Sequence, residues 1–169
     1  AQHNSDQGNS INTEFYFSGP IVTEKLGLQL YGKYSDRRED KYIDGQPERR
    51  LENVGGKLTF VPIEGHTFEA EYGAGFQKRF WTAGQSSETN SDNKYKRNNA
   101  SIRYLGEFDH GITTDLLYSY EKNNNYTRNM IVKNTEISGN VIIPIASHTI
   151  TVGGQYINEK LTDNNNRLD

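Results

Sequence analysis

Two short runs of the sequence bring cationic and aromatic side chains together. Their residues are Lys78, Arg79, Phe80, Trp81, Lys94, Tyr95, Lys96 and Arg97. Between residues 78 and 97 five bases stand against two acids, so this stretch has a net charge of +3. Ammonium and guanidinium groups neutralise anions, and aromatic rings stack on flat partners. The pattern therefore predicts binding of an anionic ligand with flat, apolar rings.

Further bases and tyrosines of the same kind occur in two other polar segments. These second-rank candidates are Arg37, Arg38, Tyr42, Arg49, Arg50, Tyr126 and Arg128. Residues 36–50, predicted to form a loop, hold five bases and five acids, so that segment is dense in charge but neutral overall. For any single base, an ordinary solvated loop or a contact with lipid phosphates explains the residue as well as ligand binding does.

Signals for catalysis are weak throughout the chain. His66, His110 and His148 fall in three short predicted turns, and there is no cysteine. The carboxylates that could do acid–base work or bind a hard metal face Lys57 and Arg103 in the predicted strands. They are Glu69, Glu71, Glu107 and Asp115. We expect these groups to form salt bridges, so the chain is predicted to be no enzyme and to hold no catalytic residue, metal or cofactor.

The elements that position the candidates are long strands. In the hairpin over residues 93–122, Ala100, Ile102 and Tyr104 alternate with Ser101 and Arg103, the period of a two-faced strand. The turn Asp109-His110-Gly111 connects the two arms and supplies a residue suited to positive φ. The same pattern predicts eight strands, near residues 11–18, 26–35, 54–61, 68–81, 93–108, 112–122, 132–145 and 150–158. Residues 1–10 are predicted to be a polar loop.

The predicted connections alternate in length. Short turns follow the odd strands, and long polar loops over 36–50, 82–92 and 123–129 follow the even ones. Outer-membrane barrels have this asymmetry, together with an outward apolar face and aromatic belts at both interfaces. A soluble barrel or sandwich would instead bury its apolar face and has no reason to alternate its loop lengths. We therefore predict an all-β, antiparallel, up-and-down transmembrane β-barrel.

Composition agrees with this class. A chain of 169 residues is expected to form a single domain. Only 33% of its residues are hydrophobic and its mean hydropathy is -0.88, which alternating strands explain because every second residue is polar. No apolar run approaches the roughly 20 residues of a membrane helix. A net charge of -3 argues against nucleic acid as a partner. Since the chain starts at Ala1 without a signal peptide, we expect a processed or excised product.

Several motifs resemble, in their order and spacing, the start of the barrel in TonB-dependent catecholate siderophore receptors, especially the colicin I receptor and its relatives. The motifs are Phe15-Tyr16-Phe17-Ser18-Gly19-Pro20, Leu26-Gly27-Leu28-Gln29-Leu30-Tyr31-Gly32, Phe60-Val61-Pro62, His66-Thr67-Phe68, Tyr72-Gly73, the run Tyr95 to Asn99, Ile143-Pro144-Ile145 and Thr151-Val152-Gly153-Gly154-Gln155-Tyr156. Together they cover almost the whole chain.

The resemblance implies a 22-stranded barrel plugged by a domain that binds TonB. No stretch of this sequence resembles the plug, and the chain ends in Arg167-Leu168-Asp169 instead of a strand with a terminal aromatic residue. We therefore expect residues 1–169 to be one early barrel segment of about eight strands. A genuine small barrel closed by its own eight strands, with a structural or adhesive role and no transport, is the alternative.

The function implied is binding and import of a ferric catecholate siderophore across the outer membrane of a Gram-negative cell. A ferric tris-catecholate is triply negative and has flat rings, which suits the cationic and aromatic candidates. The chelate is the transported ligand, not a cofactor. The expected partners are this chelate, outer-membrane lipid and lipopolysaccharide, and TonB through the missing plug. Use of the loops by a bacteriocin or a phage stays open.

Overall fold

The computed structural model describes residues 8–165 and contains eight strands. Their bounds are β1 Ser10–Val22, β2 Leu26–Arg37, β3 Glu48–Ile63, β4 His66–Trp81, β5 Ser91–Glu107, β6 Thr113–Asn125, β7 Met130–Ile145 and β8 His148–Asp163. A 3-10 turn over Asp109–Gly111 joins β5 to β6. Most of the loop predicted over residues 1–10 lies outside the described residues, and Ser10 already belongs to β1. No helix in the described part of the chain is long and apolar enough to cross a membrane.

The eight strands form one antiparallel sheet in chain order, so the predicted up-and-down topology is confirmed. Within residues 8–165, β1 pairs with β2 alone and β8 pairs with β7 alone, which leaves both edges of the sheet open. The small barrel closed by its own eight strands, the alternative architecture, is therefore not the one observed.

The two faces of the sheet differ in polarity and in exposure. On β4, Phe68 and Tyr72 are 43% and 57% exposed. The side chain of Glu69, which lies between them on the opposite face, is only 20% exposed. No hydrophobic residue among the described residues is buried. We call the apolar face of Phe68 and Tyr72 the outer face, and the polar face of Glu69 the inner face. A soluble sandwich would show the reverse arrangement.

Most strands are longer than the sequence predicted. The two long loops shrink to residues 38–47 and 82–90. The predicted loop over 123–129 is wrong, because β6 continues to Asn125 and only residues 126–129 form the turn. The three asparagines at the end of β6 pair with both β5 and β7, and this pairing outweighs the low strand propensity of asparagine. The strict alternation of long and short connections therefore fails at this position.

Two prolines that lie just beyond the predicted strands 11–18 and 54–61 are inside the observed strands. β1 runs past Pro20 to Val22, and β3 runs past Pro62 to Ile63. The register of the pairing shifts at both places, between Pro20 and Val22 and between Phe60 and Ile63. Proline lacks an amide hydrogen for the ladder, and an irregular pairing step accommodates that loss without ending the strand.

The short connections gather at one end of the sheet, here called the turn end, and the longer ones gather at the other, the loop end. The turn at Asp109–Gly111 is confirmed, with φ of 64° at His110 and 75° at Gly111. His66 and His148, which were predicted to be turn residues, are instead the first residues of β4 and β8. The Nδ1 atom of His66 lies 2.7 Å from the hydroxyl of Tyr104, and its ring packs edge-on against Phe108 at 5.2 Å.

Candidate ligand-binding site at the loop end

The strand register sorts the predicted cationic and aromatic residues by face. Residues that are Cα partners in neighbouring strands share a face. Arg37 of β2 pairs with Arg49 of β3, which in turn pairs with Arg79 of β4. Arg79 also lies on the same face as Glu69, because the two positions differ by an even number of residues. These three arginines therefore form one row across the inner face at the loop end.

Of this row, Arg37 is committed to internal contacts. Its Nη2 donates to Asp40 at 2.5 Å, and its Nη1 lies within 3.3 Å of the carbonyl oxygen of Gln46. Arg49 and Arg79 are exposed, and neither has an acidic partner in the described part of the chain. With its amide oxygen turned toward Arg79, Gln77 accepts hydrogen bonds from that guanidinium at 2.9 and 3.2 Å. Two guanidinium groups thus stand opposite each other without a counter-charge.

Aromatic residues lie on the same inner face beside these arginines. Trp81 is the last residue of β4, two positions beyond Arg79, and it is half-buried. Tyr95 pairs in register with Gln77 and is 38% exposed. Arg97 follows Tyr95 on this face but forms an ion pair with Glu121. Its charge is therefore partly neutralised, unlike those of Arg49 and Arg79.

The remaining strand candidates point to the outer face. They are Arg50, Lys78, Phe80, Lys94 and Lys96. Lys78 lies 3.6 Å from Glu48 and over the ring of Phe80 at 5.4 Å. The run that is contiguous in sequence thus forms two surfaces on opposite sides of the sheet. The sequence contains the signal for this division, because the alternation that turns Phe76 outward also turns Lys78 outward and Arg79 inward.

The other four candidates are on the connections. Arg38 and Tyr42 lie in loop 38–47, and Tyr126 and Arg128 lie in turn 126–129; all four are exposed. That turn is fixed to the start of β5, since the amide of Tyr126 donates to the carbonyl of Lys94 at 2.9 Å.

Asp40 organises loop 38–47, a role that the sequence did not reveal. It is a buried polar residue with 1% of its surface exposed. Its carboxylate accepts hydrogen bonds from the amides of Gly8 and Gln46, both at 2.7 Å, and from Arg37. Burial raises the pKa of this carboxyl, but these hydrogen bonds and the charge of Arg37 outweigh burial and lower the pKa from 3.8 to about 2. Asp40 therefore stays ionised and holds Arg37 out of the binding surface.

Glu39 connects the two long loops. Its carboxylate accepts from the amide of Thr82 at 2.5 Å, and from the hydroxyls of Thr82 and Ser86. Ser86 is 4% exposed, so this contact lies inside the loop layer. Burial raises the pKa of Glu39, and the hydrogen bonds from Ser86 and Thr82 lower it by more, so the net direction is down. Loops 38–47 and 82–90 are therefore joined above the arginine row, through partners far apart in sequence.

Below the site, the inner face carries the predicted salt bridges. Lys57 forms an ion pair with Glu69 at 2.5 Å, and Arg103 donates two hydrogen bonds, of 2.8 and 2.5 Å, to the carboxylate of Asp115. Two carboxylates differ from the prediction. Glu71 accepts from the hydroxyl of Tyr31 at 2.6 Å, while Glu107 is exposed near the turn end. Within residues 8–165 no group of three metal-binding side chains occurs.

No family model matches the chain. An iron-regulated outer membrane virulence protein of Vibrio cholerae serotype O1, from two strains, is 28% identical over 170 residues. That alignment covers 96% of this chain but 26% of the relative, so the chain spans about a quarter of the length of the curated relatives it matches.

Solved structures of siderophore receptors share the fold. The ferric enterobactin receptor PfeA of Pseudomonas aeruginosa is 20% identical with a TM-score of 0.78, over 95% of this chain and 30% of the receptor. The siderophore receptor PirA of Acinetobacter baumannii is 16% identical with a TM-score of 0.81, over 95% and 29%. A variant of PfeA solved in complex with enterobactin is 20% identical with a TM-score of 0.77, over 95% and 30%.

These likenesses agree with the open sheet, its outward apolar face and the loops gathered at one end. The predicted fold class, outer-membrane location and resemblance are confirmed at that level: the chain is similar in sequence to an iron-regulated outer-membrane protein, and it has the fold of a β-barrel segment of siderophore receptors.

Proposed function

We propose that this chain is part of the wall of an outer-membrane receptor that binds a ferric siderophore of the catecholate class and imports it. The observation that carries the proposal is the pair Arg49 and Arg79, which face the inner side without acidic partners in the described residues. A ferric tris-catecholate is triply negative, so these two guanidinium groups supply charge where the anion would enter. The PfeA complex with enterobactin supports a siderophore as the ligand class.

The aromatic residues explain why a chelate with rings fits better than a simple anion. Trp81 and Tyr95 lie on the same face as the two arginines and leave part of their rings accessible. A catecholate ring can stack on an aromatic or guanidinium plane, a contact worth roughly 0.5 to 2 kcal/mol depending on desolvation. Inorganic anions gain only the charge contact. The combination therefore favours an anion that carries flat rings.

The loop contacts decide which arginines can reach the ligand. Arg37 forms an ion pair with Asp40 at 2.5 Å, so its guanidinium group is not free to contact the ligand, as those of Arg49 and Arg79 are. Glu39 fastens loop 82–90 to loop 38–47, and the joined loops present their own exposed residues, Arg38 and Tyr42, at the same end. We assign these two residues, with Tyr126 and Arg128, to a secondary set of ligand contacts.

The transport step needs components beyond the wall. We propose that TonB, acting through a plug domain, supplies the energy for import, and that the remaining strands of the barrel come from the rest of a longer protein. The open edges of the sheet and the 26% coverage of the curated relatives support this division. The wall segment itself performs no chemistry on the chelate.

The test compares two pairs of bases that lie near the loop end on opposite faces of the sheet. In the membrane-assembled protein, Arg49→Ala with Arg79→Ala is expected to weaken binding of a ferric catecholate by about 10- to 100-fold. This range assumes roughly 1 kcal/mol for each exposed charge contact and more where water is excluded. The control, Lys78→Ala with Lys94→Ala, removes the same charge from the outer face and should leave affinity unchanged. Binding is measured by quenching of intrinsic fluorescence at two salt concentrations.

Two results would contradict the proposal. Wild-type affinity in the arginine variant, with a folded barrel shown by heat-modifiable electrophoretic mobility, would remove Arg49 and Arg79 from the site. Equal affinity for a ferric catecholate and for an uncharged ferric hydroxamate would refute the ligand class, because the arginines would then contribute nothing to selection.

A further inference from the structure

On the outer face, every strand from β3 to β8 carries a base near its loop end. These residues are Arg50, Lys78, Lys94, Lys96, Lys122, Lys133 and Lys160. They lie on the same face as the apolar residues nearer the turn end; on β6, for example, Tyr118, Tyr120 and Lys122 follow one another at steps of two residues. We call this set the basic collar. It borders the apolar outer surface where that surface approaches the loops.

The two halves of the basic collar differ in their acidic partners. In the first half, Arg50 pairs with Glu52 at 2.5 Å, Lys78 with Glu48 at 3.6 Å and Lys94 with Asp92 at 2.7 Å. In the second half, Lys96, Lys122, Lys133 and Lys160 have no acidic partner within residues 8–165. The charges of the first half are therefore balanced internally, and those of the second half are not.

Three of the unbalanced lysines are direct neighbours in the sheet. Lys122 of β6 pairs in register with Lys133 of β7, which pairs with Lys160 of β8. The Cβ atoms of such pairs lie about 5 Å apart, and like charges placed directly opposite each other destabilise a sheet. The next outward positions toward the turn end are Tyr120, Thr135 and Asn158, which are neutral. Binding of an anion from outside the sheet would therefore reduce the repulsion among these three lysines.

The position of the lysine row indicates where that anion comes from. The outward residues four positions closer to the turn end are Tyr118, Ile137 and Tyr156, which pair in register and are 45%, 51% and 60% exposed. At about 3.3 Å per residue, the lysines lie roughly 13 Å further along the strands. Tyrosine is enriched at the edge of the hydrocarbon layer, where its ring is apolar and its hydroxyl meets water. The lysines are therefore at the height of lipid headgroups.

We propose that Lys122, Lys133 and Lys160 form a binding site for the phosphate groups of a phosphorylated glycolipid in the outer leaflet. Three ammonium groups in a row about 10 Å wide suit a headgroup with more than one phosphate, since neighbouring strands are about 4.8 Å apart. Lysine is a compact point charge that binds phosphate without the planar geometry that arginine requires. Its aliphatic stem packs along the apolar wall while the charge reaches the headgroup. This site is on the opposite face from Arg49 and Arg79 and is independent of ligand import.

The test uses the complete protein, purified in a neutral detergent, with three added molecules: the phosphorylated glycolipid, the same lipid after dephosphorylation, and inorganic phosphate. Lipid binding is followed by native mass spectrometry and by the shift in Tm. We expect Lys122→Gln with Lys133→Gln to lower affinity for the phosphorylated lipid by about 30-fold, from roughly 1 kcal/mol for each lysine at an anionic surface. Replacement of both by Arg keeps the charge and should retain most of the binding.

A matched control removes two bases that lie outside the basic collar. Lys25→Gln with Lys41→Gln changes the net charge equally at exposed positions in the turn and loop, and it should bind the lipid like the wild type. Without lipid, the Lys122/Lys133 glutamine variant should have a Tm at least equal to that of the wild type, because the repulsion is relieved.

Three results would overturn the proposal. They are equal lipid affinity in the Lys122/Lys133 variant and the wild type, an equal loss in the Lys25/Lys41 control, and equal binding of the dephosphorylated lipid. Saturation by inorganic phosphate with no preference for the lipid would assign the row to free anions instead.

Discussion

Replacement of Asp40 by Asn is expected to open loop 38–47 without unfolding the strands. The carboxylate holds three donors: the Gly8 amide, the Gln46 amide and Arg37. Asn keeps the shape but loses the charge, and its amide group would face the amide of Gln46, donor against donor. Hydrogen bonds to charged groups contribute roughly 1.5 to 3 kcal/mol, and a buried unsatisfied donor costs about 1 to 3 kcal/mol. We expect about 3 kcal/mol of local destabilisation.

The assay is hydrogen–deuterium exchange at the backbone amides of the loop. The amide of Gln46 donates to Asp40 at 2.7 Å, and the amide of Asp40 donates to the carbonyl of Gln46 at 3.0 Å. A loss of about 3 kcal/mol corresponds to roughly 100-fold lower protection at these amides. Amides in the middle of β7, far from the loop, should keep their wild-type protection.

Asp44→Asn is the matched control for this prediction. Asp44 lies in the same loop, is exposed and has a φ of 62°, a conformation that Asn adopts readily. It removes the same charge without removing the hydrogen bonds of Asp40. If Asp44→Asn lowers the protection of Gln46 as much, or if Asp40→Asn leaves it unchanged, the assigned role of Asp40 is wrong.

The pH dependence of amide protection in loop 38–47 is a second measurement of the role of Asp40. The pKa of Asp40 is lowered from 3.8 to about 2 in the folded loop, so ionisation stabilises the loop above pH 3.8. That contribution is lost as pH falls from about 4 through 2. Protection factors of the wild-type loop should therefore decline across this interval, and those of Asp40→Asn should not show that decline.

Glu39→Gln removes the charge that joins the two long loops, and should increase exchange at the amide of Thr82 by about tenfold. Gly55→Val would place a Cβ 2.6 Å from the tyrosine ring that crosses this glycine, and should destabilise the assembled barrel by about 1 to 3 kcal/mol in a heat-modifiability assay. Single cysteines replacing Glu88 and Asp109 lie at opposite ends of the sheet; an impermeant reagent on intact cells should label the first and not the second.

Unchanged exchange at Thr82 would show that Glu39 does not join the loops. A Gly27→Val variant, whose added Cβ comes no closer than 4.0 Å to its nearest neighbour, the Cβ of Thr59, is the control for Gly55, and equal losses in both would remove the steric argument. Labelling of both cysteines would contradict the assignment of the loop end to the cell surface.

Periodicity in the sequence was sufficient to predict the fold class. Side chains alternate across a strand whatever the tertiary context, so Phe68, Ala70 and Tyr72 against Glu69 and Glu71 already specify a two-faced strand. The turns at Glu64-Gly65 and Asp109–Gly111 follow from residues that tolerate positive φ. The salt bridges Lys57–Glu69 and Arg103–Asp115 could be predicted because pairing brings those residues opposite or near each other on the polar face.

Strand lengths and loop contacts were decided by the tertiary structure. Asn123 to Asn125 have low strand propensity, and they join β6 because β5 and β7 offer backbone partners on both sides. Pro20 and Pro62 remain within strands because irregular pairing absorbs their missing donors.

The candidate site, too, was determined partly by the sequence and partly by the tertiary structure. The sequence alone determined which residue types gather near the loop end, and its alternation determined that Arg79 and Lys78 take opposite faces. Only the sheet register places Arg49 opposite Arg79 and aligns Lys122, Lys133 and Lys160, because register depends on how distant segments pair. Likewise, Asp40 and Glu39 gain their partners only when the loops pack together, since an isolated carboxylate in a charged loop carries no local signal of the donors it will meet.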